Sequence, residues 1–174
     1  QFENDFESDT FPGHGWTVQG TDANKDYTWA KGVYYNWKNL GNTTNHAYIK
    51  GDWKGGKQNE WLISPAVDLT GKSATVSFDY ALMRTILRDK IATFTFEAST
   101  DGGNTWTVLW NAADLENVSG MYFKGTAEVE VPETYRTANA QFAFHFYKKA
   151  NTGYTDADGM FAIDNVKLVS GSSD

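Results

Sequence analysis

The chain has no cysteine, only three prolines, no long apolar run and no excess of basic residues. Without cysteine it cannot form disulfides or use a thiolate as a nucleophile or metal ligand. No segment approaches the about 20 apolar residues of a membrane-spanning helix, so we expect no membrane insertion. A net charge of −7 and a pI near 4.9 argue against nucleic acid as a partner, because phosphate contacts need a basic surface.

Aromatic and β-branched residues are abundant and alternate with polar residues in several segments. Residues 74–82, 91–98, 141–147 and 160–169 follow the period of two that places alternate side chains on opposite faces of a strand. Segments 2–7, 16–18, 60–69, 106–110 and 126–131 are further candidates, and 112–117 is the one candidate helix. About ten strands with few helices predict an all-β, two-sheet antiparallel β-sandwich, with a jelly roll as the best single arrangement.

The length of 174 residues fits one ordinary domain. We therefore expect a single β-sandwich module over residues 1–170. Residues 171–174, Gly-Ser-Ser-Asp, have the composition of a linker. Gln1 is not followed by a basic and then apolar leader, so we expect a chain that either is not exported or has already been trimmed.

The segment from Tyr27 to Trp61 has many aromatic residues and no clear periodicity. Five glycines interrupt it, which predicts irregular loops rather than strands. Large rings held on loops over a rigid scaffold are typical of ligand-binding surfaces. The aromatic residues of this segment are Tyr27, Trp29, Tyr34, Tyr35, Trp37, Tyr48, Trp53 and Trp61.

Four of these rings are candidates for a sugar-binding platform. Exposed aromatic rings offer flat apolar faces to the C–H faces of sugars, and polar side chains at the rim supply hydrogen bonds. The candidates are Tyr34, Tyr35, Trp37 and Trp53, with Arg84 and Arg88 of the adjacent 84–90 loop at the rim. The alternative is that these rings form a small secondary core under a long loop. We assign Trp16, Trp29 and Trp61 to the core, because each adjoins strand-like apolar residues or the polar turn that precedes the segment.

Two groups of oxygen ligands are candidates for calcium. Asp22, Asn24 and Asp26 stand at every second position of a short turn, a spacing that can wrap oxygens around a hard cation. This is not an EF-hand, because Val33 stands where the bidentate glutamate would be. The alternative is a solvated polar turn.

The second group is Glu7, in the predicted first strand, and Asp164, in the predicted last strand. Terminal strands of a sandwich often pair, and a carboxylate within the apolar run at 160–166 must be paired, hydrogen-bonded or metal-bound if it is buried. The alternative is that Asp164 faces outward.

Catalytic signals are weak. His14, His46 and His145 share no metal-ligand spacing, and no arrangement of a serine nucleophile with its base is present. Glu128 and Glu130 share a strand face, which is more typical of a solvated surface than of a glycoside hydrolase pair. The segment from Ser99 to Trp106 fits the Asp-box pattern of sialidases, in which the aspartate caps a hairpin and the tryptophan packs beneath it. We interpret it as structural.

Several motifs follow one another along the chain: Phe6-Glu7, Phe11-Pro12, Trp16, Asp22-x-Asn24-x-Asp26-x-x-Trp29, Asn59-Glu60-Trp61-Leu62-Ile63-Ser64-Pro65 with Asp68-Leu69, and Phe161-Ala162-Ile163-Asp164-Asn165-Val166. Their order resembles that of the cleaved-adhesin family, the jelly-roll modules of gingipain-type adhesins, and is also similar to choice-of-anchor domains. Lys25 and Tyr27 replace glycines that the family tends to have. The pair Glu7 and Asp164 resembles the structural calcium site of jelly-roll carbohydrate-binding modules.

This resemblance implies a calcium-stabilised β-sandwich that binds rather than catalyses, within a secreted or cell-surface, multimodular bacterial protein. Our first hypothesis is a non-catalytic carbohydrate-binding module, monomeric within a larger chain, that binds a polysaccharide or glycan. The second is a gingipain-type adhesin module that binds host proteins, and the third is a jelly-roll glycan hydrolase or lyase.

Overall fold

The computed structural model describes residues 2–20, 25–52, 54–83, 92–116, 120–150 and 159–172. These ranges contain eleven strands, the short helix α1 (Tyr35–Lys38) and three 3₁₀ turns (Lys25–Tyr27, Ala112–Asp114 and Glu133–Tyr135). The strands are β1 (Phe2–Asn4), β2 (Thr17–Gln19), β3 (Ala30–Gly32), β4 (His46–Lys50), β5 (Gln58–Ile63), β6 (Lys72–Met83), β7 (Ala92–Ser99), β8 (Thr107–Asn111), β9 (Tyr122–Glu130), β10 (Gln141–Lys148) and β11 (Met160–Ser172). No helix in the described ranges is long and apolar enough to cross a membrane.

The strands form two antiparallel sheets. A six-stranded sheet has the order β3-β4-β11-β6-β9, with β1 also paired to β11. A five-stranded sheet has the order β2-β5-β10-β7-β8. This confirms the predicted all-β sandwich of the jelly-roll type. It also confirms that the first and last strands pair.

Phenylalanine side chains fill the space between the sheets. Alternate residues of β7 and β10 point inward, and these include Phe96 and Phe144, which are both fully buried. Phe96 stacks on Phe142, with a ring centroid distance of 5.6 Å. Phe78 of the six-stranded sheet meets Phe144 edge to face at 4.9 Å. The period of two in the sequence is therefore the signature of a shared aromatic core.

The prediction that residues 27–61 are mainly irregular is wrong. The segment contains β3, α1, β4 and β5, and β4 pairs directly with the central strand β11. Ala47 and Ile49 point into the core while Tyr48 points outward. The predicted strand at 60–69 corresponds to β5, but β3 and β4 escape recognition because they are short and because β4 is stabilised by pairing with the distant strand β11.

Three predicted boundaries also differ. The first strand ends at Asn4, whose side chain accepts a hydrogen bond from the Phe6 N–H and donates one to the Pro12 carbonyl, so the chain turns at Phe6 with a φ of 58°. Strand β11 continues through Gly171 and Ser172, which pair with β6, into the predicted linker. A 3₁₀ turn at Ala112–Asp114 stands in place of the helix predicted at 112–117, whose last residue lies outside the described ranges.

The aromatic core makes a prediction for stability. Replacing Phe96 by Ala removes a fully buried ring and should lower the free energy of unfolding by about 3–5 kcal/mol. Urea unfolding measures this change. The matched control is Val169→Ala, on an exposed position of β11, which should stay within about 0.5 kcal/mol of the wild type. A loss below about 1 kcal/mol for Phe96→Ala would contradict this account of the core.

Candidate functional site

Two of the predicted platform residues belong to an exposed group of tyrosines. Tyr34 stacks on Tyr35 and also contacts Tyr48, each at a ring centroid distance of 4.8 Å. Tyr35 is 62% exposed. Burial, followed by the interactions with Tyr35, raises the pKa of Tyr34 well above its usual range, so its hydroxyl stays protonated and can donate. We call Tyr34, Tyr35 and Tyr48 the tyrosine cluster.

Trp37 does not present an exposed face and is a correction to the predicted platform. Only 3% of it is exposed, and it packs with Ala81, Met160 and Ala162 on the outer face of the six-stranded sheet. The two alanines leave space above the sheet, and helix α1 places the indole in that space. Trp37 is thus part of a small second core. Trp53, Arg84 and Arg88 lie outside the described residues.

The buried ring of His46 helps to hold this segment. Its Nε2 accepts a hydrogen bond from the Tyr34 N–H at 3.1 Å, and its Nδ1 lies 3.0 Å from the Thr44 carbonyl. Accepting at one nitrogen and donating at the other requires the neutral imidazole. Burial lowers the pKa of His46, opposed by Thr44 and Glu7, which agrees with this assignment.

The first predicted calcium turn lies mostly outside the described ranges. Asp22 and Asn24 belong to the part of the chain that is not described, and Asp26 is exposed in the 3₁₀ turn Lys25–Tyr27. Among the described residues, no three His, Asp or Glu side chains come together as a metal site. Calcium at this turn stays a prediction.

Glu7 and Asp164 both bind the segment 42–45. Buried Asp164 accepts hydrogen bonds from Asn42 Nδ2 at 3.0 Å and Thr44 Oγ1 at 3.1 Å. Glu7 is exposed and follows the first strand rather than lying in it; its carboxylate accepts from the Asn45 N–H at 2.8 Å and from Asn45 Nδ2 at 3.1 Å. Burial raises the pKa of Asp164, and the hydrogen bonds to it oppose that effect.

The outer face of the five-stranded sheet carries a group of rings that sequence reasoning assigned elsewhere. Trp61 of β5 lies directly opposite His145 of β10, and the two rings stack at 3.6 Å with planes 9° apart. Trp106, just before β8, approaches Trp61 at 5.2 Å. Trp61 and Trp106 are both partly exposed. We call Trp61, Trp106 and His145 the ring face.

A hydrogen-bonded network lies beside these rings. Glu97 Oε2 contacts His145 Nδ1 at 2.5 Å and accepts from Thr95 Oγ1 at 2.7 Å. His145 Nε2 lies 2.6 Å from Asn59 Oδ1. Glu97 is 6% exposed, so its carboxylate is held in one orientation by its partners. A flat aromatic surface next to fixed hydrogen-bonding groups can bind a polyhydroxylated ligand.

The predicted Asp-box hairpin positions Trp106. Asp101 accepts hydrogen bonds from the Thr105 Oγ1 at 2.6 Å, the Thr105 N–H at 2.9 Å and Ser99 Oγ at 2.7 Å. These bonds, those from Thr105 first, lower the pKa of Asp101 to about 2. Trp106 Nε1 donates to the Gly103 carbonyl at 3.1 Å. The structural interpretation of the motif is therefore confirmed, and the hairpin also supports the ring face.

Trp61 is a missed functional candidate. The buried positions of Trp16 and Trp29 agree with their assignment to the core, but Trp61 points to the opposite face of its strand from buried Leu62. A usable signal existed in β7 and β10, where polar residues alternate with the phenylalanines. Thr95 and Glu97 flank Phe96, and His145 lies between Phe144 and Phe146. By contrast, Glu128 and Glu130 are exposed on the edge strand β9, as a solvated face would be.

No protein-family model and no curated protein matches the chain, but solved structures share its fold. The K2 cleaved adhesin domain of Lys-gingipain has a TM-score of 0.63 at 15% identity, covering 98% of each chain. The K1 domain of the same protein, from Porphyromonas gingivalis W83, has a TM-score of 0.62 at 15% identity, covering 97% of this chain and 96% of that one. TmCBM27, a carbohydrate-binding module with specific mannan recognition, has a TM-score of 0.52 at 16% identity, covering 99% and 97%. At such identities the similarity establishes the fold alone.

The Asp101 hairpin generates a pH prediction. Asp101 has a folded pKa of about 2, below the value of about 3.9 in an unfolded chain. Its contribution to stability is therefore fully present above about pH 4 and is lost as the pH falls toward 2. Carboxyl-carbon NMR titration should find the depressed pKa, and unfolding measured from pH 5 to pH 2 should show a shallower decline for Asp101→Ala than for the wild type. Parallel declines would refute this assignment.

Proposed function

We propose that the chain is a non-catalytic carbohydrate-binding module of a secreted, multimodular bacterial protein, and that the ring face is its main glycan-binding surface. The observation that carries this proposal is the contiguous set of rings formed by Trp61, Trp106 and His145 on the outside of a sheet. Two partly exposed indoles beside a stacked imidazole are unusual on a solvated sheet, where polar side chains normally alternate with the core.

The chemistry of the ring face suits a sugar chain. The indoles provide flat apolar faces for C–H groups, and the partly exposed Asn59 provides an amide for hydroxyl groups. Buried Glu97 and Thr95 hold His145 in place from below. Because these polar groups already hold one another through hydrogen bonds, little side-chain ordering is required on binding, which favours affinity. The resemblance of the sequence to jelly-roll binding modules supports the same function.

The tyrosine cluster is a second candidate surface for the same function. Tyr35 is the most exposed of its rings and stacks on Tyr34, so one flat phenol face is available. It lies on the segment that covers the outer face of the six-stranded sheet, whereas the ring face belongs to the five-stranded sheet. Variants at the two surfaces can therefore separate their contributions.

Affinity electrophoresis on plant and host polysaccharides tests the proposal. Trp61→Ala and Trp106→Ala should each weaken retardation by about tenfold or more, since buried aromatic contacts dominate binding energy at such surfaces. Tyr35→Ala should have a smaller effect, and the surface control Val169→Ala should have none. Thermal melting of each variant shows whether it is folded.

Several outcomes would contradict this assignment. Retardation lost only in Tyr35→Ala would move the site to the tyrosine cluster. No retardation on any glycan, together with capture of purified host proteins, would favour the adhesin alternative. Turnover of a polysaccharide by the purified chain would favour the hydrolase or lyase alternative.

We further propose that calcium stabilises the module at Asp164 and Glu7, and at the turn formed by Asp22, Asn24 and Asp26. The donor set near Asp164 fits a hard cation: its hydrogen-bond partners are neutral, and among the described residues no lysine or arginine forms an ion pair with this buried carboxylate. Carboxylate and amide oxygens are the ligands that calcium prefers. A bound ion would supply the missing positive charge.

Thermal melting with and without chelator tests this proposal. Calcium at 100 times its dissociation constant should add about 2.7 kcal/mol to the free energy of unfolding. Asp164→Asn, which keeps the shape of the side chain, should lose most of the response, while Glu128→Gln should keep it. A midpoint that is unchanged by chelator in the wild type would exclude an occupied stabilising site.

A further inference from the structure

A cavity of about 420 Å³ lies on the outer face of the six-stranded sheet, away from the ring face. It is lined by Trp37, Asn42, Asp79, Lys124, Thr126 and Asn165. This volume is within the range of about 300–1,000 Å³ that is usual for small-ligand sites. Trp37 is only 3% exposed and contributes no more than a small apolar edge, and the other five side chains are hydrogen-bonding groups.

Asp79 is a half-buried lining residue of this cavity and is held in a fixed orientation. Its Oδ1 accepts a hydrogen bond from Thr126 Oγ1 at 2.7 Å, and its Oδ2 accepts one from Asn165 Nδ2 at 2.9 Å. A carboxylate has about four acceptor sites, so both oxygens can accept again from a ligand. The hydroxyl oxygen of Thr126 can accept as well.

The position of Asn165 depends on a bulge in β11. The register with β6 shifts between Asp164 and Lys167, and Asn165 has a φ of 52°. A bulge re-aims the side chain that it carries, and such bulges are common beside functional sites. In a regular strand the side chain after Asp164 would point to the inner face of the sheet. The bulge instead directs the Asn165 amide outward to Asp79.

Two hydrogen bonds of cavity-lining residues hold the covering segment in place. Lys124 Nζ donates to the Leu40 carbonyl at 2.7 Å, and Asn42 Nδ2 donates to Asp164 at 3.0 Å. Both bonds tie the segment after α1 to the sheet. A long chain that runs through the site would have to break them, whereas a single unit can enter from the open side.

We propose that this cavity binds one neutral sugar unit, the terminal unit of a glycan chain, as a second site distinct from the ring face. The proposal rests on the proposed carbohydrate-binding function. A neutral polyol fits because the lining combines the negative Asp79 with the positive Lys124, and because the donors and acceptors of Asn42, Thr126 and Asn165 converge on the same pocket. The ring face would then take the interior of a chain and the cavity its end.

NMR titration of the full chain with free glucose, galactose, mannose and fucose tests this proposal. At least one sugar should shift the Trp37 indole signal and the side-chain amides of Asn42 and Asn165. Asp79→Asn and, separately, Thr126→Val should weaken that response by about tenfold. Thr126 is exposed, so the second variant should fold as the wild type does. Glu128→Gln, two residues away on the same face and outside the cavity, is the matched control and should change nothing.

The outcomes distinguish the two sites. Shifts at the cavity that persist in Trp61→Ala and are lost in Thr126→Val would support a separate site. The second site would be overturned if no sugar shifted the cavity signals at millimolar concentration. If polysaccharide retardation still depended on Trp61 in that case, the proposed function would stand. Cavity shifts that are unaffected by both Asp79→Asn and Thr126→Val would also overturn the second site.

Discussion

The alternation of side chains along paired strands is the constraint on which the rest of this structure depends. In the five-stranded sheet, Phe144 of β10 lies opposite Leu62 of β5 and Phe96 of β7, and all three point into the core. One residue further along, His145 must then lie opposite Trp61 and Thr95 on the outer face. The aromatic core thus fixes the register that assembles the ring face.

Within the described residues, a connecting segment covers the outer face of the six-stranded sheet, whereas rings line the outer face of the five-stranded sheet. Residues 34–45 lie over the six-stranded sheet, anchored by buried Trp37, by His46 and by hydrogen bonds to Asp164. Where this segment meets the sheet it leaves an open polar pocket. The ring face has its own rigid support in the Asp101 hairpin, so one sheet offers a flat surface of rings and the other a polar pocket.

The fold alone does not decide what the module binds. Domains named as gingipain adhesins and as a carbohydrate-binding module share its architecture at about 15% identity, and one architecture can carry many functions. The ligand of the module therefore depends on particular side chains. Stacked rings beside the hydrogen-bonded Glu97 favour sugars, while the neutral partners of buried Asp164 favour a cation nearby.

The sequence by itself determined the all-β class, the long strands β6, β7, β10 and β11, and the structural role of the Asp101 hairpin, because a period of two and local turn chemistry are properties of neighbouring residues. It could not place the aromatic residues of 27–61, where β4 lies between β3 and the distant strand β11. Tertiary structure alone decided that Trp37 is buried and that Trp61 faces outward. The physical reason is that alternation tells which residues share a face, whereas burial depends on which distant segment covers that face.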